Sequence, residues 1–413
     1  MQKISVLFVG VVLSMILVAC GGGGDEGSSA DSITLAVWGS SPAESRGLEE
    51  TVASFEEETG ISVEVEVIQD NFQDALTARF AANNAPDVFY MEAYVAPKFI
   101  ESGVLSDLTE DIENQDDFYQ PMLDAFKNEE GQLFAAPKDY STLAMYVNTD
   151  MLEEAGYSMD DVPSDWDDLL SFAEELQEEL PSNQAAMIFD STLARNMSGL
   201  AVSNLDIVTD EDRADFTSSP EAITFLESFV EGNEAGYLLN PTIDLGIDSA
   251  GAAFGTNKAA IMIEGNWVLS ALNSDYPDVN YEVVEAPTIN DEQQTMTFNV
   301  GYGVARDTQN KEAAVEFVNY MTGDGLEQWS DISGTLPTRE SVAESMNLTE
   351  NDKLEPHVES AAYGTVWAGG VNLPVISNAF DNQFQAALNG DKSIEDAMQD
   401  AEQEANDEIE RQQ

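Results

Sequence analysis

The sequence predicts an α/β fold in which helices cover both faces of the sheets. Short runs rich in β-branched and aromatic residues alternate with segments of helical period along most of the chain. The first two strands and the helix between them lie between residues 33 and 68, which is the arrangement of a parallel βαβ unit. At 413 residues the chain can bury a large core. We therefore expect two domains, or one domain built of two lobes.

The first βαβ unit is predicted from its turn residues and its periodicity. The run from Ile33 to Trp38 is β-rich and closes with Gly39-Ser40-Ser41-Pro42, which predicts a strand followed by a turn. A helix is expected to open near Ser45 and to end at Gly60, because glycine suits the left-handed residue that follows a helix. The segment from Ile61 to Ile68 alternates apolar and charged residues, which predicts a strand with one buried and one solvated face.

The later segments follow the same pattern, and no internal repeat or second linker interrupts them. Helices are predicted from the apolar stripes of Asn71 to Ala82, the segment after Ser164, Pro220 to Val230, Lys311 to Met321 and Ile394 to the C-terminus. Ser164 is expected to cap its helix, with Asp167 as the capping-box partner. Further strands are predicted at Pro86 to Met91, Leu133 to Pro137 and Thr142 to Val147, the last two being separated by the polar residues 138–141.

The N-terminus has the pattern of an export signal. An apolar run from Val6 to Ala19 follows Met1-Gln2-Lys3, and it is shorter than the roughly 20 residues that span a bilayer. Its end, Leu17-Val18-Ala19-Cys20, resembles the lipobox of bacterial lipoproteins, which implies that Cys20 is lipidated and begins the mature chain. Residues 1–20 are thus predicted to be a signal peptide, and residues 21–30, which are small or acidic, a flexible tether. A free, buried Cys20 in an ordinary helix is the alternative.

The charge of the chain limits its partners. The sequence has 79 Asp and Glu against 15 Lys and Arg, a net charge of -64. Such a chain repels phosphates, so binding to nucleic acid or to anionic lipid headgroups is excluded. The carboxylates are spread along the whole chain, which favours adaptation to a hypersaline medium, where the Debye length falls to about 3 Å. Polycation binding is the alternative explanation.

Few residues can support catalysis. Cys20 is the single Cys, so disulfides and thiolate metal sites are excluded. His357 is the single His, and its charged neighbours predict a solvated residue at a helix start rather than a catalytic base. The sequence has no phosphate-binding loop and no dinucleotide glycine motif, so we expect no cofactor and no enzymatic activity. Metal sites built from carboxylates, and paired carboxylates for glycoside hydrolysis, stay open.

Aromatic residues recur at the predicted strand ends, next to carboxylates and amides. In an open α/β sheet these positions face the ligand crevice. Aromatic rings stack on the C–H faces of sugars, while carboxylates and amides bond to hydroxyls, so the pattern favours a carbohydrate site. For any one of these residues a place in the core or at the rim is the alternative. The candidates are Trp38, Ser40, Glu92, Tyr94, Asp139, Tyr140, Asn266, Trp267, Tyr302 and Trp367.

Several segments together resemble the family 1 extracellular solute-binding proteins, the maltose-binding-like receptors of ABC importers. They are Ile33–Gly39, Phe55–Ile61, Ala85–Val88, Tyr146–Gly156, Pro163–Leu169, Lys258–Trp267 and Gly334–Arg339. The resemblance implies a two-lobed periplasmic-binding-protein fold of type II, with the ligand cleft between the lobes. Residues 31–141 and about 290–334 would form lobe 1, and residues 142–289 and about 335–413 would form lobe 2.

The resemblance also implies roles for the candidate residues. Trp267 matches the stacking aromatic of the family, whereas Trp367 is a looser match. The remaining matches are Trp38 to Ser41 in the first strand-end loop, Glu92 and Tyr94 after the third strand, and Asp139 and Tyr140 at the first crossover. Many members have proline where this chain has Asn266, whose amide could reach a hydroxyl.

The function implied is that of a monomeric lipoprotein, tethered to the cell membrane and facing outward, which carries a sugar or oligosaccharide to the permease subunits of an ABC transporter. A polyamine or other cation, with Glu92 and Asp139 as counter-charges, is the nearer alternative. A secreted glycoside hydrolase is the more distant one.

Overall fold

The structure is a computed structural model that describes residues 32–69 and 71–412. The predicted signal peptide, Cys20 and the tether lie outside these residues and stay predictions. Within the described ranges the strands are β1 (Ser32–Trp38), β2 (Ser62–Ile68), β3 (Val88–Glu92), β4 (Ala135–Asn148), β5 (Ala185–Ile188), β6 (Leu238–Leu239), β7 (Ala259–Gly265), β8 (Tyr281–Val284), β9 (Met296–Val304), β10 (Leu336–Pro337) and β11 (Thr365–Val366).

The helices alternate with these strands, as the sequence predicts. In the described part of the chain they are α1 (Pro42–Thr59), α2 (Phe72–Ala81), α3 (Ala96–Glu101), α4 (Gln120–Asp124), α5 (Thr149–Ala155), α6 (Trp166–Glu179), α7 (Leu193–Val202), α8 (Pro220–Ala235), α9 (Ala250–Gly255), α10 (Val268–Asp275), α11 (Lys311–Met321), α12 (Leu326–Ser333), α13 (Glu340–Ser345), α14 (Glu355–Ser360), α15 (Leu373–Leu388) and α16 (Ile394–Gln412). No helix among the described residues is both long and apolar enough to cross a membrane.

The strands form one sheet with the order β2-β1-β3-β9-β4-β7-β5-β6. Strand β1 is parallel to β2 and β3, whereas β9 is antiparallel to both β3 and β4. The first half of β4 pairs with β9, and its second half pairs with β7 and β8. Strand β4 therefore runs from one half of the sheet into the other.

Two large hydrophobic cores lie on either side of this crossing. The first core draws on residues from Ile33 to Ala136 and from Tyr302 to Trp329. The second draws on residues from Leu143 to Ile289, and it is completed by α15 and α16. All 14 residues of β4 are buried, so this strand connects the two cores without a solvated gap.

The structure corrects the prediction that the polar residues 138–141 break this segment into two strands. Strand β4 is continuous, and it absorbs the polar stretch with a shift of register between Pro137 and Asp139. The stretch stays in the strand because its charges have partners: Lys138 forms an ion pair with Asp139, and the indole N–H of Trp329 donates to the same carboxylate at 2.9 Å. Buried charges that are paired in this way need no water.

Helix starts follow local hydrogen bonds that the sequence leaves ambiguous. Helix α1 begins at Pro42 instead of near Ser45, because the hydroxyl of Ser41 accepts from the N–H of Glu44. Its end at Gly60, with φ of 77°, confirms the predicted left-handed glycine. Asp165, not Ser164, caps α6. The backbone of Ser164 is engaged elsewhere, since its carbonyl accepts from the N–H of Thr288 at 2.8 Å.

Strand β2 departs from the predicted pattern of one buried face. Val65 and Val67 are 37% and 52% exposed, although they alternate with charged residues as a buried face would. Strand β2 is the edge of the sheet, and α1 packs more closely against α12 than against β2. Gly47 of α1 lies so close to the ring of Trp329 in α12 that a Cβ at this glycine would be 3.3 Å from it. An apolar surface is thus left open beside β2.

The structure also corrects the prediction for His357, which is fully buried instead of solvated. Helix α14 packs against β4, and the Nδ1 of His357 lies 2.9 Å from the carbonyl oxygen of Thr142. A carbonyl can only accept, so Nδ1 carries the proton and Nε2 accepts from the hydroxyl of Tyr146 at 2.8 Å. Burial lowers the pKa of His357 to about 4. The imidazole is therefore neutral, and its hydrogen bonds attach α14 to β4, the strand that joins the two cores.

Candidate functional site

A large cavity lies where the two cores meet, and we call it the cleft. Its volume is about 880 Å³. The first core contributes residues at the ends of β1 and β3, and the second contributes residues of α7 and α15 and of the turn after β7. Strands β4 and β9 supply residues between the two sides. A bound molecule would therefore contact both halves of the protein at once.

Aromatic rings stand on both sides of the cleft. Trp38, at the end of β1, packs edge-on against Tyr90 with ring centroids 4.9 Å apart. On the opposite side Trp267 packs edge-on against Phe298, at 5.5 Å. Trp38 and Trp267 are only partly buried, so part of each ring remains open to a ligand.

A third pair of rings links the two cores directly. Tyr94 follows β3 and Trp367 follows β11, and their ring centroids lie 5.7 Å apart with an angle of 31° between the planes. Trp367 belongs to the second core, while Tyr94 packs against both cores. Because this contact crosses the cleft, it depends on how far apart the two halves of the protein stand.

The floor of the cleft is a buried ion pair. Lys138 and Asp139 are 4% and 5% exposed, and both line the cavity. The ammonium of Lys138 lies 3.9 Å from the centroid of the Trp329 ring and 4.7 Å from that of Tyr90. Cation–π contacts of this kind stabilise a desolvated ammonium. The floor is therefore held by interactions that do not require a ligand.

Arg195 of α7 fixes the aromatic wall of the second core. Its guanidinium carbon lies 4.7 Å from the ring centroid of Trp267, and it forms an ion pair with Glu264 at 3.3 Å. Glu264 in turn accepts from the indole N–H of Trp267 at 3.4 Å. Burial raises the pKa of Glu264, and the charge of Arg195 opposes that rise. Trp267 is thus positioned by its stacking cation and by its hydrogen-bond acceptor.

Two further carboxylates in the cleft lack such compensation. Burial raises the pKa of Glu92 to about 7, and only a hydrogen bond from Gln73 opposes it. Burial also raises the pKa of Asp381 to about 6, although Asp381 accepts from the N–H of Leu193 at 2.7 Å. Near neutral pH these groups can donate to or accept from a hydroxyl, and in the charged form they can pair with a cation. No group of three or more metal-ligating side chains occurs among the described residues.

The structure brings six of the ten candidate site residues together around the cleft. They are Trp38, Glu92, Tyr94, Asp139, Trp267 and Trp367. Ser40 lies nearby in a separate groove. Lys138 and Arg195 also line the cleft, although neither is predicted from the sequence as a site residue. The one signal that could have pointed to them is their charge, because Lys and Arg are rare in this chain, with 15 in 413 residues.

The other three candidates are buried away from the cleft. Tyr140 follows Asp139 in β4, so its side chain points to the opposite face, where it packs against Tyr119. Tyr302 pairs with Tyr90 across the sheet and is fully buried in the first core. A position at a strand end does not determine on which face of the sheet a side chain lies. Tyr140 and Tyr302 therefore occupy the interior, which was the alternative to a place in the site.

Asn266 has its amide engaged by backbone. Its side-chain oxygen accepts from the N–H of Thr142, and its amide nitrogen donates to the carbonyl of Gly334, both at 3.3 Å. Asn266 is 1% exposed. Its amide therefore ties the turn after β7 to β4 and to the segment after α12, and it does not line the cleft.

Comparisons with known proteins identify the family of the chain. Residues 50–356 match the family model described as bacterial extracellular solute-binding protein. The diacetylchitobiose binding protein DasA of Streptomyces coelicolor is 22% identical over the whole of both chains. A maltooligosaccharide ABC transporter solute-binding lipoprotein of Streptococcus pneumoniae is 24% identical, with 97% of this chain and 96% of that protein covered.

Solved structures show the same fold. An ABC substrate-binding protein of Listeria monocytogenes in complex with cycloalternan matches with a TM-score of 0.81 and 24% identity, over 92% of this chain and 99% of that one. Maltose-bound MalE3 of T. maritima matches with a TM-score of 0.79 and 20% identity, over 91% and 99%. The predicted periplasmic-binding-protein fold of type II is therefore confirmed. Since the family model covers most of the chain, the protein belongs to the bacterial extracellular solute-binding proteins, a non-catalytic family.

Proposed function

We propose that this protein captures a sugar or oligosaccharide in the cleft and delivers it to the permease subunits of an ABC importer. The observation that carries the proposal is the meeting of Trp38, Tyr94, Trp267 and Trp367 around one cavity that also contains buried carboxylates. Rings supply flat apolar surfaces for the C–H faces of a sugar, and carboxylates supply partners for its hydroxyls. Relatives named for diacetylchitobiose and maltooligosaccharides support the same ligand class.

We further propose that the two cores correspond to two lobes, formed by residues 31–141 with about 290–334 and by residues 142–289 with about 335–413. The membership of the cores supports this division, since the first core ends near Ala136 and resumes at Tyr302. Met296 packs in the second core, so β9 passes from one lobe to the other along its length. Strands β4 and β9 would then form the hinge.

Binding would act by shifting the population of lobe positions. A ligand that touches both aromatic walls gains its full contacts only when the lobes are closed. Its binding then stabilises the closed state by the difference in affinity between the two states. The permease would recognise the closed form.

We also propose that the protein is a monomeric lipoprotein at the outer side of the cell membrane, anchored through Cys20. A tether raises the concentration of the receptor near its transporter. A single acyl chain binds a membrane only marginally, so stable anchoring requires a Cys with more than one acyl chain. The S. pneumoniae relative, which is named as a lipoprotein, supports this proposal.

A cationic solute such as a polyamine is the second candidate ligand. Two carboxylates favour it, those of Glu92 and Asp381, which both line the cleft. Burial is the main cause of the raised pKa of each, and no cation of the protein lowers it, so a cationic ligand could supply the missing charge. This candidate shares the fold and the transport role, and it differs only in the chemistry that the cleft recognises.

A thermal-unfolding screen in molar salt tests these proposals. High salt is needed because it screens the repulsion of a chain with a net charge of -64. Neutral mono- and oligosaccharides are expected to raise the unfolding temperature and to change tryptophan fluorescence. If spermidine raises the unfolding temperature and no sugar does, the ligand is a cation and not a sugar. Release of shorter sugars during incubation would refute the receptor function.

A further inference from the structure

A second cavity of about 740 Å³ lies beside the cleft, between α1 and the edge strand β2. We call it the β2 groove. Trp38, Glu44 and Tyr90 line both the cleft and the groove, so the two cavities are neighbours at the end of β1. Small-molecule sites usually occupy about 300–1,000 Å³, and the cleft alone nearly reaches that limit. Together the two cavities offer space for a ligand longer than the cleft can hold.

The floor of the β2 groove is apolar and exposed. Among the described residues three large apolar side chains are more than a third exposed, and two of them, Val65 and Val67, line this groove. Leu48 and Val52 of α1 face them from the opposite wall. The open faces of these two valines give the groove a small apolar floor against which an apolar ligand face can pack.

Polar groups surround this floor. Ser40, Glu49 and Gln69 lie at the rim, and they supply a hydroxyl, a carboxylate and an amide. The amide of Gln69 lies across Gly39, where a Cβ would come within 2.8 Å of it. An apolar floor with hydrogen-bonding groups at its edge is complementary to a sugar ring, whose faces are C–H and whose edge carries hydroxyls.

We propose that the β2 groove extends the cleft and holds the outer units of an oligosaccharide whose inner units lie between the lobes. The inference rests on the proposed function, and it names the substrate class as oligosaccharides too long for the cleft alone. The ligand would pass Trp38 at the junction of the two cavities. The carboxylates of Glu44, Glu49 and Glu56 around the groove favour an uncharged chain over one that bears uronic acids or phosphates.

The proposal is tested by the dependence of affinity on ligand length. Dissociation constants are measured by titration calorimetry in molar salt for maltooligosaccharides and chitooligosaccharides of two to seven units. Val67→Glu places a charge on the groove floor, and Ile243→Glu is the matched control, because both residues are 52% exposed and Ile243 lies outside the groove and the cleft. Val65→Asn is a second groove variant.

In the series that binds, the longest sugars are expected to bind about tenfold or more tightly than the disaccharide. Val67→Glu and Val65→Asn should remove most of this advantage and leave disaccharide affinity unchanged, whereas Ile243→Glu should change neither. Equal affinity at all lengths, or an advantage that survives both groove variants, would overturn the β2 groove while leaving the cleft intact. If no sugar of any length binds, the proposed function fails, and the groove proposal fails with it.

Discussion

Protonation of His357 should reduce the stability of the protein as the pH falls. Burial lowers the pKa of this imidazole from 6.5 to about 4. Above pH 6.5 it is neutral in both the folded and the unfolded chain, so it contributes no pH dependence. Between pH 6.5 and about 4 only the unfolded chain binds the proton, and the free energy of unfolding falls with falling pH. Below about 4 both states bind it, and the loss is complete.

The magnitude follows from the width of this window. One pH unit corresponds to about 1.36 kcal/mol, so a window from 6.5 to about 4 gives a loss of about 3 kcal/mol. His357 is fully buried, so no allowance for solvent screening is needed. A loss of this size is a substantial part of the roughly 5–15 kcal/mol by which native proteins are stable.

Urea unfolding of the wild type and of His357→Gln in molar salt, between about pH 7 and about pH 4.5, measures this loss. The variant loses the hydrogen bond to Tyr146, and we expect it to be less stable at neutral pH. Protonation of the many carboxylates affects both proteins alike, so it cancels in the difference between them. The stability difference should shrink steadily as the pH falls below 6.5. A difference that stays constant would show that His357 titrates normally, and it would refute the buried, neutral imidazole.

Three other predictions concern the cleft. Trp267→Ala should weaken sugar binding by about 1–3 kcal/mol in titration calorimetry, because it removes a stacking surface; unchanged affinity would place Trp267 outside the site. Glu92→Gln should raise the unfolding temperature of the free protein at pH 8, by the equivalent of up to about 3 kcal/mol, and should have little effect at pH 4, where Glu92 is largely protonated in both states. Calorimetry that shows the same change at both pH values would contradict the raised pKa. Lys138→Met should destabilise the protein by about 3–5 kcal/mol in urea, since it leaves Asp139 buried and unpaired. The double variant that adds Asp139→Asn should recover part of that loss, and no recovery would argue against the ion pair.

Local sequence patterns were sufficient to predict those helix bounds that depend only on residues close together in the chain. The end of α1 at Gly60 and the bounds of α11 from Lys311 to Met321 agree with the patterns of turn residues and helical period. These features arise within a few residues, so a short window contains their cause.

Signals failed where the cause lies far along the chain. His357 appears solvated beside its charged neighbours, but its partners Thr142 and Tyr146 are more than 200 residues away in sequence. The same holds for Trp329, which carries the cation–π contact with Lys138 and has no motif around it. Part of the candidate site could be predicted, because several strand ends do converge at the cleft. Tyr140 and Tyr302 could not be placed correctly, because the alternation of side chains along β4 and β9 puts them on the buried face.

The place of β9 in the sheet has a consequence for the order in which the protein can fold. Strand β9 lies between β3 and β4, yet it ends at residue 304, long after both of them in the chain. The sheet of the first core cannot be completed until about three quarters of the 413 residues have been synthesised. Pairings between such distant segments form slowly, because a long loop must close first. This delay suits a chain whose N-terminus has the pattern of an export signal, since it keeps the polypeptide open while it is still being made.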